Sequence, residues 1–283
     1  MIEKTIKYNG ILTHWSLSDN SDRQILKVGF EDLGLAELIP SPKNDTQALL
    51  RALNRVFSKQ DVVIKTVRGT SGYKVCGRQD LNDGKTRYTE ALKVTFDSSG
   101  GLHYEENHDV CTSVRFGHDV QDMLQSEFNV QKRLVSGAVL GTVLSNAARK
   151  LGGISMRPRG GFYWIPKSSK ARWKEIAEVI SLAFHKNTVS CIQTTTDTDT
   201  LDAICVALVA QVESKLGQLE TDLEEGDLGK RALQTREREA GELDSLVQDY
   251  EKILGKTMTS LRDRVEEVES TASLAILEAM AAS

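Results

Sequence analysis

The chain has 283 residues, 40% of them apolar and 27% charged, with a formal net charge of −4, a length that suits one large domain or two ordinary ones. That balance excludes a disordered chain, and no apolar run nears the roughly 20 residues of a membrane helix. Residues 1–7 lack the apolar stretch of a secretory signal, and Cys76, Cys111, Cys191 and Cys205 form no CxxC pair, so the expectation is a cytoplasmic protein with reduced cysteines and no zinc ribbon.

Ile11–Leu17 alternates loosely as a strand, and Asp22–Leu33 carries Ile25, Leu26, Phe30 and Leu33 at helical spacing. Past Pro40 and Pro42, Asp45 is placed to cap a helix whose stripe is Ala48, Leu49, Ala52, Leu53 and Phe57. From Asp61 the period falls to two. Val62–Val67, Tyr73–Cys76, Tyr88–Phe96 and Leu102–Tyr104 predict four strands, and the turns between them contain Gly69, Gly84 and Gly100, which supply the positive φ that tight reversals need. The product is an antiparallel meander with the two preceding helices covering one face. Arg68–Lys74 is a turn and lacks the GxxxxGK[ST] spacing of a phosphate loop.

An apolar-periodic stretch from His118 to about Gln131 predicts a helix, and Ser136 caps another that bears Val139, Leu140, Val143, Leu144 and Ala147 and stops at Gly152–Gly153. Ile154–Met156 and Phe162–Ile165 flank Arg157–Gly161 and predict a hairpin with arginines at its tip. Ser168 or Ser169 opens a helix through Trp173, Ile176 and Ile180, and Thr188–Thr195 is β-prone. The order helix, helix, hairpin is that of a winged helix, in which a helix enters the major groove and the hairpin lays cations along phosphates.

From Asp199, with Thr198 or Asp199 as helix cap, Leu201, Cys205, Leu208, Val212, Leu216, Leu219 and Leu223 step by three and four, and Glu225–Gly229 interrupts them. A second run, Leu243, Val247, Tyr250, Leu254, Leu261, Val265 and Val268, continues nearly to the end. The expectation is a long antiparallel helical hairpin folded about Asp227, its second helix overhanging by about 25 residues, on the order of 37 Å. The apolar overhang either docks on the globular region or packs on a second chain, and because the coiled-coil seams supply an interface of their own, Leu261, Val265, Val268, Leu274, Ile276 and Leu277 are read as the oligomerisation residues of a homo-oligomer.

The fold class is therefore α+β: a β-meander with helices over 1–116, a basic winged-helix-like region over 117–197 and an acidic helical hairpin or coiled coil over 198–283. Charge follows these boundaries. Residues 131–190 hold 11 basic and 2 acidic side chains, and 191–283 hold 9 basic and 20 acidic ones, an asymmetry that fits either a polyanion partner or internal pairing. His103, Glu105, Glu106, His108 and Asp109 are the densest set of acid/base or ligand groups but match no metal-ligand spacing. No nucleophile motif is present. No cofactor, metal or catalysis is expected.

The reading is a non-enzymatic nucleic-acid-binding protein contacting DNA or RNA through Arg149, Lys150, Arg157, Arg159, Lys167, Lys170, Arg172 and Lys174. The alternative is a structural or scaffolding protein that self-assembles or takes a protein partner through its coiled coil, with the basic face merely complementary to the acidic tract.

Overall fold

The computed structural model of the chain describes residues 8–80, 85–107, 119–158, 160–224 and 228–281. The first half runs β1 (Tyr8–Ser16), β2 (Ser21–Asp22), α1 (Arg23–Asp32), α2 (Asp45–Val56), β3 (Val62–Thr66), β4 (Gly72–Asp80), β5 (Thr86–Phe96), β6 (Leu102–Glu106) and α3 (Val120–Arg133). The second runs β7 (Leu134–Val135), α4 (Gly137–Lys150), β8 (Ile154–Ser155), β9 (Phe162–Pro166), α5 (Lys170–Ala183), β10 (Thr188–Thr195), α6 (Thr198–Glu224), α7 (Lys230–Leu254) and α8 (Thr259–Ala281).

The four-strand meander forms as its period-two pattern predicts, in the order β3-β4-β5-β6 and antiparallel throughout. Its buried face, with Val75, Leu92 and Val94, packs on Leu49 and Leu53 of α2 and on Leu124 and Phe128 of α3. The cover thus comes from α2 and the later α3, while α1 packs on α5. The cap of α2 is Asn44, whose side chain accepts from the Gln47 N–H at 2.7 Å, so the helix starts one residue earlier than Asp45 capping implies.

The second sheet is legible only in three dimensions, because its order β10-β1-β9-β8 pairs residues up to 187 positions apart. Period-two alternation divides its side chains between two cores. Ile11, Tyr163 and Ile165 meet Leu26 and Phe30 of α1, Leu140 and Leu144 of α4 and Trp173 and Ile176 of α5. Leu12, Ile154 and Trp164 face the opposite way, onto α6, α7 and α8. The result is a three-layer stack of helices, sheet and helical bundle. The expected order of two helices and a hairpin is present over 117–197, but α3 belongs to the meander core, α4 to the second sheet, and β9 pairs with β1 as well as β8. The segment does not close into a separate winged helix.

The C-terminal tract is a packed three-helix bundle, and this corrects the expected hairpin with its overhang. Gly255 ends α7 with φ 64°, and its N–H donates to Glu251 O at 2.8 Å. Only glycine takes that left-handed cap without steric cost. Glu251 Oε1 then accepts from the Met258 N–H at 2.6 Å, which sends α8 back along α7. The heptad-like spacing continues across Gly255 because α7 and α8 both face the same seam, so hydrophobic period alone hides the reversal. At the other end Asp197, not Thr198 or Asp199, caps α6: its carboxylate accepts from the Thr200 N–H at 2.9 Å and from the Thr195 and Thr200 hydroxyls, which lower its pKa to about 2. The turn at Asp227 lies outside the described residues.

Candidate functional site

Bundle and sheet meet at Tyr250, whose hydroxyl donates to Gly152 O at 2.7 Å while its ring stands edge-on to Trp164, centroids 5.6 Å apart. Burial pushes its phenol pKa up. Beside this contact, where β8 forms the sheet edge, the layers part and leave a groove of about 1500 Å³ between α4, the Arg157–Gly161 turn, α6 and α7. The β8 edge is not bare, because the Ser155 N–H donates to Gln211 Oε1 at 2.9 Å. A side-chain amide thus blunts the strand edge.

One wall of the groove carries Asn146 and Arg149 of α4 together with Arg157 of the turn. Arg157 lies back across Gly160, which has φ 91° and where a Cβ would come 2.5 Å from the guanidinium. Trp15 stacks on Tyr163 at 5.6 Å, and a Cβ at Gly161 would strike its indole at 2.1 Å. Trp15 thus lines the groove with one ring face already stacked on Tyr163 and with Gly161 against its indole. The facing wall, Ala203, Val206 and Ala210 of α6, is small and apolar, with Val206 70% exposed. Glu239 and Glu242 of α7 add acidity, but Glu239 is paired with Lys215 and Arg236, and Glu242 with Arg238.

The eight cations of the sequence reading divide. Arg149 and Arg157 share the groove. Lys150 is bonded to Glu37, and Arg172 pairs with Glu175 at 3.0 Å. Lys167, Lys170 and Lys174 follow β9 in sequence and do not line the groove. Arg159 lies outside the described residues. Sequence reasoning missed Trp15, Asn146 and Gln211, which reach the groove from three separate elements; no local spacing marks them.

Internal pairing between the basic block and the acidic tract has a direct answer among the described residues: no ion pair joins 131–190 to 198–281. The block's pairs run to Asp45, Glu37 and Glu175. Cations of the bundle pair within it, as in Arg264 with Glu213 and Glu220, Arg236 with Asp222, and Lys256 with Asp202. Arg149 and Arg157 make no ion pair among the described residues.

Residues 10–282 match DUF6744, described as a family of unknown function. The chain belongs to that family. No curated protein and no solved structure matches it. The DUF6744 match spans both four-stranded sheets and the bundle.

Of the assembly residues in this DUF6744 chain, Leu261, Val265 and Val268 are buried in the chain's own bundle seam and Ile276 is buried as well. Once Gly255 folds α8 back, the spacing that resembled an intermolecular seam is satisfied within the chain. Leu274 and Leu277 stay 62% and 63% exposed. On the meander, His103 and Glu105 share the solvent face as alternation predicts, 3.8 Å apart, with Lys93 holding Glu105 at 3.0 Å. His108 and Asp109 lie outside the described residues, among which no three metal-ligating side chains converge. No helix among the described residues is long and apolar enough to cross a membrane.

Proposed function

We propose that this chain is a non-enzymatic nucleic-acid-binding protein whose principal contact is the groove beside β8, with Arg149 and Arg157 meeting phosphates. The observation that carries the reading is that these two arginines make no ion pair among the described residues, in a molecule rich in carboxylates. Cations left free in a concave, solvent-open site are the electrostatic requirement of phosphate binding. The contact differs from a winged helix, because α4 forms a groove wall and does not project.

The test is the Arg149→Ala/Arg157→Ala double variant. Its affinity for a labelled oligonucleotide at 50 mM salt falls tenfold or more, while the Lys/Lys variant keeps most of the binding, because a phosphate contact needs the charge more than the fork geometry. Unchanged affinity in the alanine variant removes the reading.

One observation favours a second reading, assembly through α8: Leu274, Leu277 and Met280 form an exposed apolar stripe at i, i+3 and i+6. If it joins copies, the parent has an oligomeric mass in solution at micromolar concentration and Leu274→Glu/Leu277→Glu has a monomeric one. A monomeric parent rules out stable self-assembly at that concentration.

A further inference from the structure

We infer that the ligand of the groove is a single nucleic-acid strand of about five nucleotides, not a duplex; this rests on the nucleic-acid reading above and specifies its substrate class. A duplex is read by an element that enters its major groove, about 12 Å wide, and an α-helix about 10–12 Å across enters only where it projects from the protein. Here the geometry is inverted. The side of α4 that holds Asn146 and Arg149 lines the cavity together with Ala203, Val206 and Ala210 of α6, so the two exposed arginines stand at a concave site and not on a projecting helix. A chain narrow enough to lie between helices reaches them.

Size points the same way. The groove, at about 1500 Å³, exceeds the roughly 300–1000 Å³ of pockets for compact small molecules. It extends from Ala138 to Arg149 along α4 and from Ala203 to Gln218 along α6, about 16 and 22 Å at 1.5 Å per residue. At the ~3.4 Å spacing of stacked nucleotides that is about five to six nucleotides.

The two walls differ chemically, and the difference orients the strand. Phosphates belong on the α4 and turn side, against Arg149 and Arg157. On the far wall Lys215, Arg236 and Arg238 are already paired with Glu239 and Glu242, so that wall offers a phosphate no free cation among the described residues. Bases then turn toward α6, where Ala203, Val206 and Ala210 offer small apolar surface to a ring face and Gln211 and Gln218 offer amide groups to base edges. Bases of a single strand have no pairing partner, so those edges are free to take such bonds. Trp15, half-buried, already stacks on Tyr163 and packs on Gly161. Selectivity therefore comes from fit and hydrogen bonding.

The experiment measures binding of the full chain to a labelled 12-nucleotide single strand and to the same sequence as a duplex, at 50 mM salt. The variants are Ala210→Trp and, separately, Ala203→Trp. Both residues are exposed on α6, so the added indole fills the groove with no change of charge or core. The parent binds the single strand at least tenfold tighter than the duplex, and each tryptophan weakens single-strand binding tenfold or more with an unchanged melting temperature. Equal or tighter duplex binding overturns the single-strand inference and leaves the nucleic-acid reading standing. So does parent-like single-strand binding by both variants. Failure of the parent to bind either form overturns both.

Discussion

Trp164→Ala lowers the stability of the folded chain by about 3–5 kcal/mol, the range for removing a large aromatic from a packed interior. Trp164 is fully buried and is the main side chain that the second sheet sends into the bundle core. Its Nε1–H donates to Thr194 Oγ1 on β10 at 2.9 Å, its ring meets Tyr250, and its other neighbour is Gly10, where a Cβ would come 2.5 Å from the indole. Truncation therefore opens a cavity between the layers and removes a buried hydrogen bond at once. Denaturant unfolding measures the loss as a lower midpoint. A shift below 1 kcal/mol would mean that sheet and bundle do not share this core.

Asn187→Ala has the next largest effect on folding, roughly 2–4 kcal/mol, and arises from hydrogen bonding alone. Asn187 is buried, and its Nδ2 donates to Ser21 Oγ at 2.9 Å and to Ile180 O at 3.0 Å while its Oδ1 accepts from the Ser18 N–H at 2.9 Å. One amide thus ties the end of α5 to the β1–β2 connection. Alanine leaves a backbone N–H and a carbonyl without that partner, each at a desolvation cost of about 1–3 kcal/mol. The same denaturant series tests it, and a neutral result would show that water replaces the amide in full.

These residues also mark where the sequence stops being readable. The meander announces itself because its pairings are local: Val62–Thr66, Gly72–Asp80, Thr86–Phe96 and Leu102–Glu106 follow one another with turn glycines between them. Ser136 and Gly152 mark the ends of α4 for the same reason. Asn187 lies 166 residues from Ser21, and Trp15 meets Gly161 from across the sheet, so neither contact leaves a spacing to detect. In the bundle, the apolar seam was plain but Gly255 was one glycine in a continuing pattern, and only its left-handed φ separates a reversal from a longer helix. The site was half legible. Arg149 and Arg157 stood out as members of a basic block, whereas their isolation from the acidic tract depends on where every carboxylate of the bundle finds its partner.

That isolation is the centre of the functional account, and the salt dependence of binding measures it. A single strand releases about 0.7 of a counterion per phosphate neutralised, so two arginines contribute a slope of about −1.4 to the logarithm of the association constant against the logarithm of salt concentration. The decisive measurement is a titration of the intact chain and the Arg149→Ala/Arg157→Ala variant with a labelled single-stranded oligonucleotide between 50 and 200 mM salt. The account predicts measurable binding by the parent, a slope of −1.4 or steeper, and a slope shallower by about 1.4 in the variant. No binding by the parent at 50 mM salt, or parallel slopes for the two proteins, would contradict it.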